Sequence, residues 1–183
     1  MTNKLKDLFD LINSWLKFAE AKNGVLVAFS GSTIWGIVRI LFSEYEISFV
    51  GSLYLSQLLL FLVLGFLYGL IAFLPITNYI ILMPTGETSK DDNLLLYSHI
   101  AKYRKKEFID AFCIATNKEV NEIDKVDEMY VEQIIINSRI TTSKYQYFTN
   151  GIRFVILGIF TPIIGYAILY FVNNHKRKIV HGI

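Results

Sequence analysis

The sequence predicts an all-α membrane protein with about three transmembrane helices and a helical cytoplasmic domain between the second and the third. Three observations carry that expectation. Three apolar windows of 19 to 22 residues hold almost no charge. Charged residues make up 19% of the chain and hydrophobic ones 53%, with mean hydropathy +0.41, against about 25% charged in an ordinary soluble domain. The polar stretch between the windows shows no apolar-polar alternation of the kind a half-buried strand needs.

Residues 1–23 read as an amphipathic helix. Leu5, Leu8, Phe9, Ile12, Trp15, Leu16 and Ala19 recur at helical spacing, and Lys4, Lys6, Asp7, Asp10, Asn13, Lys17 and Glu20 fill the remaining surface. Two roles fit: a helix that lies on the membrane or packs on the polar domain, or a plain extension of the first span.

Residues 24–83 hold two spans joined by a short outer loop. The first, Gly24 to Phe42, carries Ser30, Gly31, Ser32, Thr33 and Gly36. Small residues at this density suit close helix contact and predict homo-oligomerisation through this span. Arg39 would cost about 2.5–3.5 kcal/mol at mid-bilayer, but near the end of the window it snorkels to the headgroups. The run begins too far into the chain and continues too long for a cleaved signal peptide. The second span, Leu53 to Leu74, is uncharged, and 15 of its residues are Leu, Ile, Val or Phe. As a helix it is roughly 33 Å long, against a hydrocarbon core of about 30 Å.

Residues 84–150 are too polar for the bilayer and form the expected helical sensor region. PTGETSKDD reads as a loop that ends in a helix cap at Asp91 or Asp92, with a helix over NLLLYSHIAKY after it. A longer helix from about Glu119 puts Ile123, Val126, Tyr130, Ile134, Asn137 and Ile140 on one stripe. Nothing breaks it before Gly151, so it is expected to run into the third span, 151–173, which Pro162 kinks. Residues 174–183 form a basic tail with His175, Lys176, Arg177 and Lys178.

Lysine and arginine counting sets the sidedness. Lys4, Lys6, Lys17 and Lys22 precede the first span, whereas SEYEISFVGS after it has two glutamates and no basic residue. The N-terminus and the middle domain are therefore expected on the cytoplasmic face of the inner membrane, in a multi-pass protein. The basic tail would then lie outside, against the rule, unless the Pro162 span bends back. A dominant N-terminal signal is the reading adopted.

Motifs of catalysis are missing. There is no Gly-rich phosphate loop, GxSxG, HExxH or CxxC, and no enzymatic activity or cofactor is expected. Cys113 is the single cysteine, which excludes an internal disulfide. The acids Glu119, Glu122, Asp124, Asp127, Glu128 and Glu132 are interleaved with lysines and read as a solvated face rather than a divalent-cation site. A net charge of +2 gives no reason to expect nucleic acid as a partner. The stretch DDNLLLYSHIAKYRKK stands out. Its bases and tyrosines could take a phosphate and stack a ring, or meet anionic lipid headgroups.

This same run, continued as NLLLYSHIAKYRKKEFIDAF, resembles the signature segment of the transmembrane effectors of Pycsar antiphage systems. LKFAEAKNGVLVAFSGS and EQIIINSRITTSKYQYF resemble that family's runs before the first and last spans, in the right order. Ser30 stands where the family commonly has Asn, and Ser98 where it has Gly. The resemblance implies an effector that senses a cyclic pyrimidine mononucleotide, cCMP or cUMP, and impairs the inner membrane to abort infection. Its partners would be that nucleotide, the lipid bilayer and further copies of the chain. Asn93, Tyr97, His99 and Lys102, faced by Arg139 and Lys144, are the candidate ligand residues. A membrane scaffold or small channel subunit with no nucleotide ligand is the rival reading.

Overall fold

The computed structural model describes residues 2–44, 46–74 and 83–180. Tyr45, residues 75–82 of the expected 24–83 segment, and His181 lie outside them, as do the side chains of the expected basic tail. The described residues form α1 (Thr2–Leu41), α2 (Phe49–Ile71), α3 (Tyr97–Ile100), α4 (Lys105–Thr116) and α5 (Lys125–Val180), with a 3₁₀ turn at Val120–Glu122 before α5. No strand occurs among them, and α1, α2 and α5 are each long and apolar enough to cross a membrane. The chain divides into two compact units, one of Met1–Gly24 with Ile71–Phe148, the other of Val25–Leu70 with Thr149–Ile183.

The first unit is built on the amphipathic face of α1. Leu5, Leu8 and Ile12 are buried together with Ile100, Phe108, Phe112, Val131, Ile134 and Ile135. Fully burying a Leu, Ile or Phe side chain stabilises a fold by about 1.5–3 kcal/mol, so this cluster is what holds the unit together. Through this face α1 packs on the polar region, and it continues without a break into the first apolar window.

The α4 helix begins where the Glu107 carboxylate accepts the Arg104 backbone N–H at 3.0 Å, the reach-back half of a capping box. It ends at Asn117, whose φ of 52° puts it in the left-handed region. Lys118 N–H then donates to the Cys113 carbonyl at 3.0 Å, satisfying an end carbonyl. The α5 helix starts six residues later than the sequence pattern indicates. Glu119–Glu122 is taken by the 3₁₀ turn, and Asp124 Oδ1 caps the new start by accepting Asp127 N–H at 2.7 Å. The buried stripe is also rotated: Asp127, Val131, Ile134, Ser138 and Thr141 face inward, while Val126 is exposed. From there α5 runs on through Gly151 and Pro162.

The helix expected over NLLLYSHIAKY is reduced to the four residues of α3. Local hydrogen bonds explain why. Asn93 Oδ1 accepts Leu95 N–H at 2.9 Å, the Asn93 carbonyl accepts Leu96 N–H, and His99 Nδ1 accepts Asn93 N–H at 2.9 Å. Side chains that satisfy the backbone in a turn compete with the helix ladder. Asp92 therefore sits in a loop and caps no helix.

The second unit exposes large apolar side chains, among them Trp35, Phe42, Leu60, Phe160 and Ile164. In water such a surface would be unfavourable; against lipid it is not. Its helices approach closely through glycine. A methyl added at Gly151 would lie 2.5 Å from Leu26 and 3.1 Å from the Gly65 carbonyl. Phe154 stacks on Tyr68 at 5.5 Å between centroids. The small residues of the first span divide in use: Ser30 is buried and Gly31 meets Phe66, whereas Gly36 has open space beside it. Ser32 and Thr33 return their hydroxyls to the Ala28 and Phe29 carbonyls, which is how they are tolerated in an apolar window.

Candidate functional site

The six residues singled out in the sequence all lie in the first unit, and the structure distributes them over three neighbourhoods. The first is a polar knot in the loop before α3. Lys102 Nζ donates to Asp92 Oδ1 at 2.6 Å, and His99 Nδ1 lies 3.5 Å from the same oxygen. Ser89 N–H donates to Asp92 Oδ2 at 2.8 Å. The Asp92 side chain is only 3% exposed. Bonded first by the Lys102 ammonium and then by Ser89 N–H, its carboxyl is held below the ordinary value of 3.8. Asn93, His99 and Lys102 are thus brought together, with Asp92 as the partner that the sequence pattern hid by presenting it as a cap.

Arg139 belongs to the second neighbourhood. Its Nε donates to the Ala101 carbonyl at 3.1 Å and its Nη2 to the Tyr103 carbonyl at 2.6 Å, so a guanidinium from α5 satisfies the backbone just past α3. Tyr97, the first residue of α3, packs on an aromatic stack of its own. Its ring lies 5.1 Å from Tyr145 at an interplanar angle of 14°, and Trp15 tilts against it at 5.7 Å. Burial pushes the Tyr97 phenol upward. Lys22 sits over the rings of Phe18, Tyr145 and Phe148 at 4.7, 5.1 and 5.5 Å, an arrangement that attracts a cation electrostatically.

Lys144 occupies the third. It is 7% exposed, donates to the Ala72 carbonyl at 2.8 Å and faces Glu20 at 3.1 Å. Asn23 Nδ2 is shared between the Ala19 and Lys144 carbonyls at 2.9 and 3.1 Å. The Lys144 ammonium therefore closes the end of α2 onto α5 and α1.

Two consequences follow for anion binding. A helix of four residues offers a phosphate no macrodipole, so the expected helix N-terminus is not present at Asn93. Lys102, Arg139 and Lys144 are each engaged by protein oxygens. The acid row at the start of α5 is exposed apart from Asp127, which is 2% exposed. Lys105 bridges Glu128 and Glu132 at 2.9 and 3.8 Å. No group of three His, Cys, Asp or Glu is placed to hold a metal ion among the described residues.

Sequence reasoning missed a groove of about 1120 Å³ that Asp92 and Asn93 help to line. Its walls are the first turns of α1, the loop 88–95 and the outer face of α4. Leu8, Leu11, Leu94 and Phe112 give it an apolar floor, and Lys4 and Lys90 stand at its edge. The signal was present in the spacing of Lys4, Asp7 and Leu11, a second face of the N-terminal helix that borders its core face at Leu8.

No curated protein and no solved structure matches this chain. The family model of the Pycsar effector protein domain matches residues 4–171, so the match runs through both units and all three apolar helices. The chain belongs to the Pycsar effector family: it is a membrane protein that serves as an effector of antiphage defence.

Proposed function

We propose that this effector senses a cyclic pyrimidine mononucleotide, cCMP or cUMP, and responds by impairing the inner membrane, so that the infected cell stops growing before phage matures. The observation that carries the reading is the union, in one chain of the effector family, of three apolar helices and a separately packed polar unit with a small-molecule groove. The polar unit is cytoplasmic in this reading, the chain is multi-pass, and no catalytic step is involved. Asn93, Tyr97, His99, Lys102, Arg139 and Lys144 form the ligand region. Since Lys102, Arg139 and Lys144 already hold protein oxygens, Lys102 and Arg139 serve to fix the segment 93–103 in place, and Lys144 to hold the Ala72 carbonyl, rather than to carry the ligand's charge. Differential affinity of nucleotide for two arrangements of the chain then drives the response.

Inner-membrane vesicles that contain the protein test this. Addition of cCMP or cUMP should collapse an imposed membrane potential, read with a voltage-sensitive dye, and cAMP should not. Vesicles that hold their potential at saturating cyclic pyrimidine nucleotide would refute the reading. A leak that is the same with and without nucleotide would favour the scaffold or channel alternative.

A further inference from the structure

We infer that the groove between α1, the 88–95 loop and α4 is the nucleotide pocket itself, with Lys4 and Lys90 as the groups that take the cyclic phosphate. The inference rests on the function proposed above and adds a location and a division of labour to it.

A cyclic mononucleotide carries one negative charge and one flat base. Its site needs at least one cation free to bond it and an apolar surface for the ring. The lysines already paired within the first unit fail the first condition. Lys102 is bonded to Asp92, Lys105 to Glu128, Lys118 to Glu122 and Lys144 to Glu20 and the Ala72 carbonyl. Recruiting any of them would leave a carboxylate or carbonyl without its partner. Lys4 and Lys90, by contrast, form no ion pair or hydrogen bond with the described residues, and both line the groove.

The acids in the groove divide in the same way. Asp92 is held by Lys102 and Ser89 N–H, and Glu107 by Arg104 N–H. That leaves Asp7, one turn from Lys4 on the same face of α1, as an acceptor with no protein donor among the described residues. A pyrimidine base presents an N–H donor, the imide of uracil or the amino group of cytosine, and a carboxylate accepts it. Phe112 and Leu8, both buried in the core, form the floor on which such a ring lies. The volume, about 1120 Å³, is somewhat above the roughly 300–1,000 Å³ that small-molecule clefts usually enclose, so a mononucleotide fills part of it. Asn93 is the single sequence candidate that lines this groove; its Nδ2 donates to no described protein group, while its Oδ1 is fixed on Leu95 N–H. Ligand bridging Lys4 and Lys90 ties the first turn of α1 to the 88–95 loop.

Calorimetric titration of the full-length protein in nanodiscs of zwitterionic lipid decides the matter, with cCMP, cUMP, cAMP and inorganic phosphate as probes. The double variant K4Q/K90Q should bind the cyclic pyrimidine nucleotides at least about tenfold more weakly. Lys6→Gln, an exposed neighbour outside the groove, should bind like wild type. Ala115→Trp, which fills the groove from the exposed face of α4 without altering charge, should weaken binding as strongly as the lysine pair. If wild type binds and both K4Q/K90Q and A115W bind equally well, the ligand lies elsewhere: the inference fails and the proposed function stands. Loss in K4Q/K90Q with A115W unaffected would mark long-range attraction only and also overturn the pocket. If wild type takes up neither cCMP nor cUMP at millimolar concentration, the function and the pocket fall together.

Discussion

The Lys144 ammonium donates to the Ala72 carbonyl at 2.8 Å, joining a residue of α5 to the carbonyl just past the end of α2. A cation on a C-terminal carbonyl is favourable for two reasons: the bond is charge-assisted, and it lies at the negative end of the helix dipole. Glu20 on α1 balances the charge at 3.1 Å. Lys144→Met keeps most of the apolar stem and removes the bond. It should lower the stability of the first unit by about 1.5–3 kcal/mol, read as an earlier unfolding transition in detergent. Glu20→Gln should do much less, because the Glu20 side chain is 46% exposed.

Acid should destabilise the first unit through Asp92. Its folded pKa lies below the ordinary 3.8 because the Lys102 ammonium and Ser89 N–H bond the carboxylate. A lowered folded value means that the stabilisation is complete above the unfolded value and is lost as pH falls through the folded one. Unfolding midpoints measured from about pH 6 to about pH 2 should therefore drop steeply below about pH 4. In Lys102→Met the acid limb should be shallower, since the group that depresses the pKa is gone.

Phe108 is fully buried between Tyr103 and Phe112, edge-on to the first at 6.0 Å and stacked on the second at 5.8 Å. Phe108→Ala should cost about 3–5 kcal/mol. Chemical denaturation followed by tryptophan fluorescence of Trp15, which packs against the same core, is the appropriate readout.

Gly151 and Gly36 should respond oppositely to enlargement. Gly151→Val forces a side chain into Leu26 and the Gly65 carbonyl and should cost about 1–3 kcal/mol by overpacking. A Cβ at Gly36 has no described residue within 4 Å, so in Gly36→Leu thermal stability should hold. If copies of the chain associate through the small residues of the first span, crosslinked oligomers should nonetheless diminish in Gly36→Leu. An unchanged ladder of oligomers would remove that span from the interface.

A cysteine introduced at Lys118 reports sidedness cleanly, because the native Cys113 is buried. With the polar unit cytoplasmic, an impermeant maleimide should leave Lys118→Cys unlabelled in cells whose outer membrane is permeabilised, and label it after lysis. Labelling before lysis would reverse the orientation.

The long elements were legible in the sequence because their causes are local and repeated. Leu5, Leu8, Ile12 and Ala19 keep one face over four turns, and every one of them is buried. The run from Leu53 is uncharged throughout, and α2 covers it as far as Ile71 after starting four residues earlier, at Phe49. What the sequence concealed depends on partners distant along the chain or on single side chains that outbid the helix. Asn93 and His99 divert a run of good helix formers into turns, and nothing in NLLLYSHIAKY marks which way that competition goes. The stripe on α5 was misplaced by about one position because polar residues, Asp127, Ser138 and Thr141, occupy its buried side. The candidate ligand residues were chosen for charge and ring type, which their sequence shows; whether a charge is already taken by another residue, as Lys102 is by Asp92, is a property of the fold alone.

The polar unit is discontinuous in sequence, and that has a consequence for how it is made. Leu5 and Ile134 share one core, and both apolar windows before residue 75 lie between them in the order of synthesis. The arm therefore leaves the ribosome with its apolar face uncovered, and its partners on α4 and α5 arrive only after both apolar windows have been made. Domains that can close early do so during translation; this one must wait for its last helix. A chain released before Ile100 would display Leu5, Leu8 and Ile12 to solvent, an exposed hydrophobic stripe for quality-control proteases to recognise, and its two apolar helices would carry no polar unit.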